Sequence, residues 1–208
     1  MTYFARTPRL LKRTMKSALW QVPTKDKVVY LTFDDGPTSK VTPQVLDILD
    51  DYNAKSTFFC IGRNVVKHPG IFADILQRGH EVGNHTFSHI SGWETNVENY
   101  EADVLKCAGH VPGKMFRPPY GRIGPGQYQL LLKNFHIVMW SVLSWDFDPW
   151  ITPQKCADNI IQNTFPGAIV VFHDSSKAAK NCLFSLSASL DALSEAGYCF
   201  EALKIADS

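Results

Sequence analysis

The chain has 208 residues, enough for one domain whose core needs no disulfide support. Hydrophobic residues make up 45% and charged residues 20%, which is ordinary for a globular protein. The net charge of +1, from 21 basic and 20 acidic side chains, gives no electrostatic ground for a nucleic-acid partner.

The first twenty residues carry Arg6, Arg9, Lys12, Arg13 and Lys16 with no acid, interleaved with Phe4, Leu10, Leu11, Met15, Leu19 and Trp20. No apolar stretch there is long enough for a signal peptide or a spanning helix, so the expected location is cytoplasmic. A helix in this segment could lie on an anionic membrane surface. The preferred reading is a basic arm or helix over residues 1–24 that packs on a domain of residues 25–208. The five cysteines, Cys60, Cys107, Cys156, Cys182 and Cys199, are odd in number, widely spaced and contain no CxxC. They read as buried free thiols rather than a disulfide or zinc framework.

After the arm, Val28–Phe33 reads as a buried strand ending in the turn Asp34-Asp35-Gly36-Pro37. A helix follows over Thr42–Tyr52, a strand over Ser56–Ile61 and a helix over Ile71–Arg78. His80–Asn84 is a short strand, Val97–Ala108 a helix, Met115–Arg117 a short strand and Gln127–Asn134 a helix. Ile137–Val142 reads as one strand. Pro153–Asn163 is a helix capped by Thr152, with Pro153 at its first position. Ala168–Phe172 is a strand, Leu183–Ala196 a helix and Tyr198–Glu201 a last strand. Strand–helix alternation along the whole length predicts an α/β fold with a parallel sheet, open or closed into a barrel.

In parallel α/β folds the chemistry gathers at the carboxyl ends of the strands. The polar residues obey that rule. Asp34 and Asp35 follow the first strand, His85 and His89 the third, and Arg117 the fourth. Asp146 follows the fifth, and His173 and Asp174 the sixth. His85 and His89 stand four apart, so on a helical turn both imidazoles would face one side and could grip one cation. A carboxylate from Asp34 or Asp35 would complete a two-histidine, one-carboxylate site with open positions, which suits a catalytic metal. Side chains alternate along a strand, so the two aspartates should differ in role. Taken singly, each residue has a plainer reading: a turn-forming Asp before Gly-Pro, a loop arginine, a His-Asp capping pair.

Four segments occur in order: Thr32-Phe33-Asp34-Asp35-Gly36-Pro37, His85-Thr86-Phe87-Ser88-His89, Arg117-Pro118-Pro119-Tyr120-Gly121 and Val171-Phe172-His173-Asp174. Together they resemble the polysaccharide deacetylase (NodB-homology) family, carbohydrate esterase family 4, over residues 28–202. The resemblance implies an irregular (β/α) barrel with fewer than eight strands. It implies removal of N-acetyl groups from the amino sugars of a glycan, with one divalent ion: zinc first, then cobalt, nickel or manganese. Asp35, His85 and His89 match the metal ligands, Asp34 the general base and Arg117 the residue that tethers it. His173 matches the general acid, Asp146 the carboxylate that orients it, and the Tyr120 backbone N–H the oxyanion donor.

One segment departs from the family pattern. Where Asp-x-x-Asp-Trp is usual, the chain reads Leu143-Ser144-Trp145-Asp146-Phe147, followed by Asp148. Asp148 is therefore a rival to Asp146, and the wall against the acetyl methyl, expected from Phe147 with Val171 beside Pro118, is altered. The alternatives are a related hydrolase of small amides or O-acetyl esters, and a non-catalytic carbohydrate-binding module. Retention of Asp34, Asp35, His85, His89 and His173 counts against the last.

Overall fold

In the computed structural model, which describes residues 5–205, the first strand is β1 (Val28–Asp34), a run of β-branched and aromatic residues. The chain then alternates: α2 (Thr42–Asp51), β2 (Thr57–Cys60), α3 (Gly62–Lys67), α4 (Pro69–Gln77), β3 (Glu81–Asn84), α5 (Val97–Ala108), β4 (Met115–Phe116). It continues with α6 (Pro125–Leu131), β5 (His136–Ile137), β6 (Val142–Leu143), α7 (Pro153–Ile161), β7 (Ile169–His173), α8 (Ala179–Glu195) and β8 (Cys199–Phe200). One short helix, α1 (Arg9–Thr14), precedes β1.

Seven strands form one curled parallel path in the order β5-β4-β3-β2-β1-β7-β6, and β8 pairs only with the start of β1. All four residues of β2 are buried, as expected in a parallel sheet covered on both faces: Phe58 and Cys60 belong to one core cluster and Phe59 to another with Met115, Val138 and Ile169. Phe33 at the centre stacks between Phe58 at 4.9 Å and Phe172 at 5.4 Å, tying β1 to both neighbours. Thr152 caps α7 by accepting a hydrogen bond from the Lys155 N–H, with Pro153 at the first turn.

The segment expected as one strand, Ile137–Val142, is two strands on opposite edges of the sheet. Only Val138–Ser141 joins them, and four extended residues reach roughly 3.3–3.6 Å each. The two edges must therefore approach each other, which curls the sheet into an almost closed barrel. The N-terminal segment fills the remaining seam. The Leu19 N–H donates to the Ile137 carbonyl, the Met139 N–H donates to the Leu19 carbonyl, and the Val22 N–H donates to the Gly167 carbonyl. Further out, Arg6 bridges Val142, and the Leu143 N–H donates to the Ala5 carbonyl. Phe4 lies outside the described residues. Among the described residues no helix is long and apolar enough to cross a membrane. Four cysteines are buried, but Cys199, on the short edge strand β8, is exposed, contrary to expectation.

Candidate active site

Asp34 is the last residue of β1 and is buried, at 4% exposure. Its Oδ1 accepts from the Arg117 Nη1 at 2.7 Å. Arg117 follows β4 and is fully buried, so its charge needs many partners. It finds them: Nη1 also donates to Thr32 Oγ1 at 2.7 Å, Nε to the Val138 carbonyl at 3.2 Å and Nη2 to the Met139 carbonyl at 3.0 Å. The guanidinium stacks 4.0 Å from the Phe59 ring centre. One side chain thus links β1, β4 and the segment that crosses between the sheet edges.

Asp35 lies one residue beyond the strand, with φ at 82°. This left-handed step turns its carboxylate away from Asp34's direction and toward two imidazoles. Asp35 Oδ1 is 3.1 Å from His89 Nε2 and 3.7 Å from His85 Nε2. One ligand atom from each of the three residues lies within 4.8 Å of the others. His85 Nδ1 hydrogen-bonds the Arg117 carbonyl at 2.8 Å, which places the Nδ1 proton there and leaves the Nε2 lone pair toward Asp35. Burial pushes the His85 imidazole down to about 4, so it is neutral, the form that ligates metals. Burial alone would raise the Asp35 carboxyl. The hydrogen bond to His89 and the charges of the surrounding histidines instead hold it well below the usual range. The donor set fits one divalent cation and leaves coordination positions open on the cavity side.

The spacing of His85 and His89 suits one helical turn, but they do not share one. The segment bends, with Thr86 at φ 62° and His89 at φ 59°. Asp103 holds this bend by accepting the Phe87 and Ser88 N–H groups, both at 2.8 Å. Tyr120 (φ 60°) and Trp145 (φ 66°) are also left-handed, so five of the six such non-glycine residues among the described ones surround the site. Each costs of order 1–3 kcal/mol, which the surrounding structure must hold in place.

His173 closes β7, and its Nδ1 meets Asp146 Oδ1 at 2.7 Å while its backbone N–H donates to Asp146 Oδ2 at 2.7 Å. Asp148 instead accepts the Trp150 N–H at 2.9 Å, so Asp146 is the carboxylate that touches this imidazole. Burial would lower the His173 imidazole. The charge and hydrogen bond of Asp146, with Asp35 and Asp34 behind, outweigh it and raise the group to about 9.

Asp174 is not a cap. It is fully buried beneath the turn that carries Asp35 and Gly36, where Thr42 Oγ1 donates to its Oδ2 at 2.5 Å. A Cβ on Gly36 would fall 2.0 Å from the same oxygen, so only glycine fits above it. Burial lifts this carboxyl to about 7.

A cavity of about 620 Å³ opens over these groups, lined by Asp34, Asp35, His85, His89 and His173 with Phe147, Val171, Tyr120 and Trp145. Phe147 packs edge-on to the His173 ring at 4.9 Å. Pro118, expected at this wall, is buried and is not among the residues that line the cavity; its carbonyl accepts the Gly121 N–H. Three lining residues lie in the segment read as an arm: Thr7, Pro8 and Leu11. Nothing in their sequence marks them as part of a site. Trp140 and Lys177 also line it and carry no local pattern.

The polysaccharide deacetylase family profile matches residues 21–133 of this chain. The chain belongs to that family. A peptidoglycan-N-acetylglucosamine deacetylase of Bacillus cereus is 34% identical over 191 residues, covering 87% of this chain and 88% of its own. A chitooligosaccharide deacetylase of Azorhizobium caulinodans is 35% identical over 157 residues, 70% of this chain and 73% of its own. A solved peptidoglycan N-acetylglucosamine deacetylase, in complex with a naphthyl-substituted N-oxidanyl-benzamide, superimposes with a TM-score of 0.85 at 31% identity over 95% of both chains.

Proposed function

We propose that this polysaccharide deacetylase hydrolyses N-acetyl groups from the amino sugars of a polysaccharide or oligosaccharide with the help of one divalent cation. The observation that carries the reading is that one cavity is lined by three convergent ligands, an arginine-tied carboxylate and a carboxylate-tied imidazole. The relatives named above support the substrate class.

Asp35, His85 and His89 would hold the ion, zinc by its fit to this donor set, with cobalt, nickel or manganese acceptable to the same ligands. When bound, it supplies a Lewis acid that polarises the amide carbonyl and makes water a better nucleophile. Asp34 takes the proton of the attacking water, and Arg117 keeps that carboxylate fixed. The Tyr120 N–H donates to the oxygen that gains charge. His173 gives its proton to the nitrogen as the C–N bond breaks, since an amine leaves poorly unless protonated. Acetate departs with the oxygen from water, and the sugar keeps a free amine. Phe147 and Val171 form the wall against the acetyl methyl.

Acetate and new primary amine should appear in equal amounts from N-acetylated chito-oligomers. Acetate released from O-acetylated glycans, with none from the chito-oligomers, would move the assignment to O-acetyl esters.

The raised His173 group sets the alkaline limb of activity. With its ordinary value near 6.5 lifted to about 9, the imidazole stays protonated through neutral pH, and kcat/KM should fall as pH rises through that region. Asp146→Asn removes the largest raising charge and leaves only Asp35 and Asp34 to oppose burial, which lowers. The alkaline limb should move to lower pH, read from kcat/KM profiles of the two proteins. A limb that does not move would separate Asp146 from the acid.

A further inference from the structure

The catalytic cavity continues past Tyr120 into a second hollow of about 500 Å³, and His89, Tyr120 and Arg122 line both. The hollow's own walls are polar, with Ser91, Glu94 and Thr95. Ser91 is only 6% exposed, and its hydroxyl has no hydrogen-bond partner among the described residues. A buried hydroxyl left unpaired is costly unless something else meets it.

Beside this hollow Trp93 is 69% exposed. The turn that carries it is rigidly built. Gln127, buried, donates from Nε2 to the carbonyls of Gly92 and Thr95, both at 2.9 Å. The Gly124 N–H donates to its Oε1 at 2.8 Å. A Cβ on Gly92 would lie 2.5 Å from Gln127 Oε1 and 2.6 Å from the Arg122 carbonyl, so glycine alone allows this packing. The Arg122 guanidinium sits 5.1 Å from the Trp93 ring and 5.7 Å from the Tyr120 ring, with Glu94 at 3.9 Å. A braced turn thus presents a large indole to solvent, where it adds nothing to the core.

We propose that Trp93, Arg122 and this hollow form a subsite for a neutral hexopyranose, the sugar next to the one that is deacetylated. The inference rests on the deacetylase reading. A pyranose offers an apolar C–H face to an indole and hydroxyls at its edge. Arg122 donates to such hydroxyls and Glu94 accepts from them. Arg122 and Glu94 offset each other's charge, which favours a neutral ring over an acidic one.

The test compares native protein, Trp93→Ala and Trp93→Tyr on N-acetylglucosamine and its pentamer. Trp93 lies mostly in solvent, so melting temperatures should match. For the pentamer, Trp93→Ala should raise KM about tenfold, with the loss falling on KM rather than on kcat, and Trp93→Tyr should restore most of it. A second reading, calorimetric affinity for the pentamer in an Asp34→Asn background, should weaken about tenfold on adding Trp93→Ala. Unchanged KM and affinity in Trp93→Ala would overturn the subsite and leave deacetylation standing. No acetate release by the native protein from any chito-oligomer would overturn both.

Discussion

Arg117→Met is expected to destabilise the protein by about 3–5 kcal/mol, the usual cost of stripping one partner from a buried ion pair. Arg117 is fully buried and Asp34 is 4% exposed, so the orphaned carboxylate cannot turn to water. Two carbonyls, of Val138 and Met139, lose their donor as well. For a chain of this size the melting temperature should fall by about 10 °C. Urea titration of Arg117→Met, Asp34→Asn and the double variant measures the coupling. The double variant removes the stranded charge, so it should be at least about 1 kcal/mol more stable than the sum of the single losses predicts. Strict additivity would mean that the pair is not the source of the penalty.

His85→Ala is expected to yield a folded protein that no longer retains a divalent ion through dialysis. Two of three ligands remain, and a carboxylate with one imidazole holds such an ion far less tightly. Acetate release should fall about a thousandfold or more, corresponding to several kcal/mol of lost charge stabilisation. Elemental analysis of the dialysed protein checks the first statement and an acetate assay the second. Native metal content with native turnover would remove His85 from the site.

The residues that come together at the candidate site were legible because they are reactive types standing directly after strands, and parallel sheets put strand ends on one rim. Asp34, Asp35, His85, His89, Arg117 and His173 needed only that rule and their order. What escaped was set by tertiary structure. Ile137–Val142 is one apolar run and carries no mark of the break at Val138–Ser141. That break exists because the sheet curls and because the buried Arg117 draws two carbonyls out of strand pairing. The histidine spacing suggests a helical turn, yet Asp103, far along the chain, imposes left-handed steps instead. Asp146 and Asp148 stand two residues apart in a segment without a regular pattern, so spacing could not choose between them, whereas the two hydrogen bonds to His173 do. Leu11 and its neighbours form a cavity wall only because the N-terminal segment is threaded into the barrel seam.

These residues make a metal-assisted amide hydrolase only if Asp34 takes the proton. Asp34→Asn is nearly isosteric and leaves Asp35, His85 and His89 in place, but the amide cannot act as the base. The decisive measurement is acetate and primary amine released from N-acetylated chito-oligomers by the metal-loaded native protein and by metal-loaded Asp34→Asn. Equal acetate and amine from the native protein, with a loss of about a hundredfold or more in the variant, is the expected result. Release by Asp34→Asn at the native rate would contradict it.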